Sequence, residues 1–173
     1  LDRLNFAWFE EPIPREQIDG YARLAAAVKM PITGGEGFHV LEQFRTHLDK
    51  KAYDIVQPDV GMSGITETMR IAQVAHSYGV NLCPHSWHNG LMAVAHAHLV
   101  AALPRVLELC MIQGPLQWGI LAQPPVIEKG WLLLPDKPGF GVELGEDLEA
   151  RFPYIEGAYW VQVQRSADRA TAF

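Results

Sequence analysis

No apolar run in these 173 residues approaches the roughly 18 needed to cross a bilayer. No stretch joins a charged start, an apolar middle and a small-residue end as a signal peptide does. Cysteine is scarce: Cys83 and Cys110 are the only two, both in runs that read as buried strands. No disulfide framework is therefore expected, and buried thiols of this kind suit a cytoplasmic protein. Positive charge is in deficit, since 14 Lys and Arg against 20 Asp and Glu leave a net charge of −6. That balance argues against the basic face of a nucleic-acid binder. Nothing is low-complexity. The one glycine cluster, Gly34-Gly35-Glu36-Gly37, lacks the Lys and spacing of a Walker loop and reads instead as room for backbone and substrate to approach.

What is present is a 49% hydrophobic chain, enough for one sizeable globular core, and a regular placement of chemistry along it. Glu10 follows Phe6-Ala7-Trp8-Phe9, Glu36 follows Pro31-Ile32-Thr33-Gly34-Gly35, and Asp59 follows Ile55-Val56-Gln57-Pro58. His85 follows Val80-Asn81-Leu82-Cys83-Pro84, and Glu108 sits within Val106-Leu107-Glu108-Leu109. Successive members are 26, 23, 26 and 23 residues apart. Between the runs lie helical patterns over 16–28, 41–48, 66–78 and 91–103, the third closed by Gly79 and the fourth apolar nearly all round. Strands continuous in apolar character suit a parallel sheet covered by helices.

This is the layout of consecutive βα units with one functional group at the C-terminal end of each strand, where TIM barrels build their active sites. The fold class is α/β. A complete eight-unit barrel takes about 250 residues, so the chain holds about five units, over 1–125, and a tail over 126–173. In the tail, Val126 to Leu134 predicts a hairpin turning at Lys129-Gly130, and Tyr159 to Val163 predicts a last short strand. The chain opens at Leu1 without an initiator Met, so the expectation is the C-terminal part of a longer protein.

Carboxylates at the same end of adjacent parallel strands come within range of one hard cation, which makes Glu10 and Glu36 candidate metal ligands. Strand alternation puts Phe6, Trp8 and Glu10 on one side and Glu11 on the other or in the loop, which favours Glu10. The alternative for each carboxylate is a helix cap or a surface ion pair. Asp59 and His85, on neighbouring strands, form a candidate dyad in which the carboxylate fixes the tautomer and orients the ring while the other nitrogen moves a proton. The alternative for His85 is a satisfied core histidine, and the polar Ser86-Trp87-His88-Asn89 after it favours a pocket mouth. Glu108 either bonds a substrate oxygen or the dyad, or is a paired buried carboxylate. His39 and His88 follow strand ends and are candidates to line the substrate pocket. His47, His76, His96 and His98 fall on helices and are expected to be structural, away from that face.

Trp8-Phe9-Glu10-Glu11-Pro12, Gly35-Glu36, Gln57-Pro58-Asp59, Pro84-His85 and the closing run from Leu134-Pro135-Asp136 to Phe140-Gly141-Val142 together resemble the enolase superfamily. The likeness is to its mandelate racemase and acid-sugar dehydratase branch, and it spans the chain to about Gly145. The resemblance implies a modified (β/α)₇β barrel whose C-terminal tail returns to an α+β capping domain. It implies Glu10 and Glu36 as two of three Mg²⁺ ligands, Asp59 and His85 as the dyad, and Glu108 as an acidic group near substrate and metal. The first metal ligand and a Lys pair would lie before Leu1. Asp59-Val60-Gly61-Met62-Ser63-Gly64 holds no Lys, which favours the His–Asp branch over muconate cycloisomerases. The implied reaction removes the proton alpha to a carboxylate while Mg²⁺ stabilises the enediolate. The expected function is a Mg²⁺-dependent dehydratase of sugar acids that yields 2-keto-3-deoxy acids. The alternatives are a racemase or epimerase of 2-hydroxy acids, or a truncated, non-catalytic fragment. The expected partners are a small sugar-acid substrate and further copies of the full-length protein.

Overall fold

Four short parallel strands and the helices that connect them carry the chemistry. The structure, a computed structural model, describes residues 2–103, 117–154 and 156. After a single 3₁₀ turn at Asp2–Leu4 come β1 (Phe9–Glu10), α1 (Ile18–Ala27), β2 (Ile32–Gly34), α2 (Leu41–Asp49) and β3 (Ile55–Val56). They are followed by α3 (Val60–Ser77), β4 (Asn81–Leu82) and α4 (Gly90–Ala102). The strands lie in the order β1-β2-β3-β4, all parallel. Parallel neighbours need a crossover between them, and α1, α2 and α3 supply the three. The register pairs Glu10 with Thr33, Gly34 with Val56, and Val56 with Leu82, so all four strands end at the same edge.

The core lies between sheet and helices. Ile32, Val56 and Leu82 from the sheet meet Tyr21, Phe44 and Ile71 from the helices, all of them buried. The apolar stripe of α1 behaves as its spacing predicts: Tyr21 is fully buried, and Ile18, Leu24, Ala25 and Val28 pack against the core. In α4 the consecutive residues Ala93 to Ala97 are all buried, which a helix apolar on most sides requires. At the end of α3, Gly79 takes φ +73°. Its N–H reaches the His76 carbonyl at 2.9 Å and the Val80 N–H reaches Ala75 at 2.9 Å, closing the helix in a left-handed cap.

One boundary differs from the periodicity. The third helix begins at Val60 rather than near Thr66, because Asp59 caps a first turn through its bond to the Gly61 N–H. Gly64, at φ 75° and ψ 160°, then kinks the helix before it continues.

In the tail, β5 (Val126–Glu128) pairs antiparallel with β6 (Trp131–Leu133). Lys129 and Gly130 both have positive φ, 50° and 83°, the two-residue turn that matches strand twist. A short helix, α5 (Leu148–Arg151), follows. The predicted fifth barrel strand around Glu108 and the last strand at Tyr159 to Val163 lie outside the described residues, as does Cys110. Cys83 is buried.

Candidate active site

The parallel register brings Glu10, Glu36, Asp59 and His85 to one edge, each at or shortly past the end of its strand. Asp59 is the hub. Its side chain is 2% exposed, and Oδ2 accepts a hydrogen bond from His85 Nδ1 at 2.8 Å. Oδ1 accepts from the Gly61 N–H at 2.7 Å. His88 Nε2 lies 2.8 Å from both oxygens. Burial by itself would raise this carboxyl. The hydrogen bond from His85, the His96 ring against Oδ1, the nearby His88 and the Gly61 N–H outweigh it and hold Asp59 well below the usual carboxylate range. An ionised Asp59 keeps the His85 proton on Nδ1, so Nε2 is the nitrogen turned toward the opening.

That nitrogen lies 3.3 Å from Glu36 Oε2. The ring thus stands between two carboxylates, and an imidazolium with a proton on each nitrogen satisfies both. Trp87 stacks against it with centroids 6.0 Å apart and planes 13° apart, while remaining largely exposed at the rim.

Glu36 is half-buried. Burial raises its carboxyl; His85 opposes that effect, and the charges of Glu11 and Glu10 add to it. Glu10 Oε2 accepts hydrogen bonds from Trp8 Nε1 at 3.1 Å and from Gln57 Nε2 at 2.8 Å. Trp8 and Glu10 therefore share a side, as strand alternation requires. This concentration of carboxylate oxygen and negative charge suits a hard cation, which would relieve the mutual repulsion. Among the described residues no three His, Cys, Asp or Glu side chains converge on one metal position. Glu10 and Glu36 would therefore supply two ligands, with waters or groups elsewhere completing the shell. Glu108 lies outside the described residues.

The two loop histidines part company. His88 turns inward onto Asp59, whereas His39 is exposed at the start of α2, its backbone N–H bonded to Gln43 Oε1 at 2.8 Å. One helical histidine departs from its expectation. His96 is fully buried beneath the dyad, with Nε2 3.4 Å from Asp59 Oδ1. Its Nε2 accepts the Val60 N–H at 2.9 Å, and Nδ1 donates to the Met92 carbonyl at 2.8 Å, so the ring is neutral and supports the turn that carries Asp59. Helical periodicity gives no sign of this, because the packing of α4 against α3 brings the two together. His47 is structural as expected, stacked on Tyr53 at 4.8 Å.

The glycines serve a different purpose from the one their cluster suggests. A Cβ on Gly34 would lie 2.9 Å from the Tyr53 ring, and one on Gly35 would lie 2.5 Å from Phe44 Cε1. The space they leave is filled by core aromatics rather than by substrate.

Residues 1–148 match the family model described as enolase C-terminal domain-like. The D-galactarolactone cycloisomerase of Agrobacterium fabrum is 33% identical over 156 residues, covering 84% of this chain and 41% of the relative. The arabinonate dehydratase of Saccharolobus solfataricus is 36% identical over 143 residues, covering 82% and 38%. The crystal structure of an enolase from Agrobacterium radiobacter, bound to Na and L-malate, superposes with a TM-score of 0.82 at 28% identity, over 92% of this chain and 45% of that one. The chain spans about two fifths of the length of the curated relatives it matches.

Proposed function

This chain belongs to the enolase C-terminal domain-like family, and from that premise we propose that the complete protein is a Mg²⁺-dependent dehydratase of sugar acids. One observation carries the reading: His85 is held by Asp59 at 2.8 Å and directed at Glu36 at 3.3 Å. A proton-transfer group and a cation ligand thus face the same space. Glu10 and Glu36 would hold the metal, which when bound supplies the positive field that makes a proton alpha to a carboxylate acidic. Asp59 remains ionised, orients the imidazole and stabilises its protonated form. A base supplied by the rest of the complete protein takes the alpha proton, and His85, carrying a proton on Nε2, donates that proton to the departing 3-hydroxyl. The resulting enol tautomerises to a 2-keto-3-deoxy acid, and water leaves. Similarity to an arabinonate dehydratase supports this outcome. Trp87, stacked on His85 and open at the rim, offers an apolar face to the carbon side of a sugar acid.

Similarity to a cycloisomerase supports a second reading, an isomerase. In a racemase or epimerase of 2-hydroxy acids, His85 would return its proton to carbon instead of to oxygen. A panel of aldonic and aldaric acids offered to the complete protein separates the two. A dehydratase forms keto acid, loses activity to chelator and regains it with Mg²⁺, and Glu36→Gln binds Mg²⁺ far more weakly. Inversion of a 2-hydroxy acid without keto acid would promote the second reading, and unchanged Mg²⁺ affinity in Glu36→Gln would remove Glu36 from the metal site.

A further inference from the structure

Glu11 follows the proposed ligand Glu10, yet its side chain turns away to the neighbouring loop. Its backbone has φ 36°, in the left-handed region that a non-glycine residue occupies at a cost and keeps only where its surroundings demand it. Those surroundings are specific. Its N–H continues the ladder to the Thr33 carbonyl at 3.1 Å. Its Oε1 accepts the Gly35 N–H at 3.1 Å, and its Oε2 accepts from Arg15 Nη2 at 3.4 Å.

Glu36 sits in the turn that begins at this same Gly35, closed by the Phe38 N–H on the Gly35 carbonyl at 3.0 Å. Phe38 is buried and packs edge-on against Phe44 at 5.2 Å, which anchors the far end. At Gly37 a Cβ would collide with Arg15 Nη1, so the guanidinium lies directly over the turn. Arg15 is itself tied down, its carbonyl 3.1 Å from His47 Nε2 on α2. The turn carrying Glu36 is thus held by the core at Phe38, by Arg15 at Gly37 and by Glu11 at Gly35.

We propose that Glu11 is a positioning residue for the cation ligand Glu36, acting through the Gly35 N–H rather than through its charge. The proposal rests on the reading of Glu36 as a metal ligand. Outer partners of metal ligands are typically worth 10- to 100-fold in metal affinity.

The experiment titrates Mg²⁺ into the complete wild-type protein and its Glu11→Ala, Glu11→Gln and Glu11→Asp variants by calorimetry, and measures exchange of the Gly35 amide without metal. Glu11→Ala should bind Mg²⁺ about 10- to 100-fold more weakly and exchange the Gly35 amide faster. Glu11→Gln keeps an acceptor at the right length and should recover most of the affinity and the protection. Glu11→Asp keeps the charge but is one methylene too short, and should resemble Ala. The Gln and Asp variants decide the matter even if Glu11→Ala does not fold. Tight binding by Asp with weak binding by Gln, or wild-type affinity in all variants, overturns the proposal while leaving Glu36 a ligand. A wild-type protein that binds no Mg²⁺ overturns the metal reading itself.

Discussion

Asp59→Asn separates the catalytic and structural work of the dyad's carboxylate. Asparagine caps helices about as well as aspartate, so the bond from the Gly61 N–H at 2.7 Å survives on the amide oxygen. The bonds from His85 and His88, both 2.8 Å, lose their charge assistance. Hydrogen bonds to charged groups contribute about 1.5–3 kcal/mol each and neutral ones about 0.5–1.5, so roughly 2–3 kcal/mol is at stake. A 2%-exposed carboxylate also carries a desolvation penalty that the amide avoids. The net loss should be about 1–2 kcal/mol, or roughly 2–8 °C in Tm for a chain of this size. Activity should fall much further. The amide N–H₂ must turn toward one imidazole, and toward His85 it selects the tautomer with the proton on Nε2, so proton transfer from the complete protein should drop about 10²- to 10⁴-fold.

Acid unfolding adds a sign. The folded-state carboxyl of Asp59 lies below its usual range, so its stabilisation is complete above the unfolded value near 4 and is lost as pH falls from there toward the folded value. The wild type should therefore converge on the variant in acid. Urea unfolding across pH, turnover, and ¹⁵N shifts of His85 measure the three parts. Full turnover in Asp59→Asn, or a His85 still protonated on Nδ1 alone, would refute the assigned dyad.

His96→Leu removes the acceptor of the buried Val60 N–H and should cost about 1–3 kcal/mol for the group left unsatisfied; an unchanged urea midpoint would refute a supporting role for His96. Gly35→Ala meets both a φ of +107° and the Phe44 ring at 2.5 Å. With about 1–2 kcal/mol for the left-handed backbone and about 1–3 for overpacking, its Tm should fall well below that of the wild type, and an unshifted Tm would show that the ring and turn relax freely.

Much of the candidate site was legible because strands advance in short, regular units. An acidic or imidazole residue at the end of each apolar run, at steps of 23 or 26 residues, can reach one edge only in a parallel sheet, and the register of β1 to β4 puts it there. The bond between Asp59 and His85 follows from their places on adjacent strands. The hairpin at Lys129-Gly130 was equally local, since two positive φ angles are a property of the turn itself.

What the sequence could not determine are contacts between elements distant along the chain. His96 reads as one more residue on an apolar helix until α4 is packed against α3 and its ring meets Asp59. The inward turn of His88, the aromatic rings filling the space at Gly34 and Gly35, and the reach of Glu11 across to Gly35 were decided in the same way. Periodicity records which face a residue occupies, because burial of an apolar face is a property of the element. It does not record which atom a side chain meets, because that is settled only when separate elements pack at contact distance and each buried donor must find an acceptor.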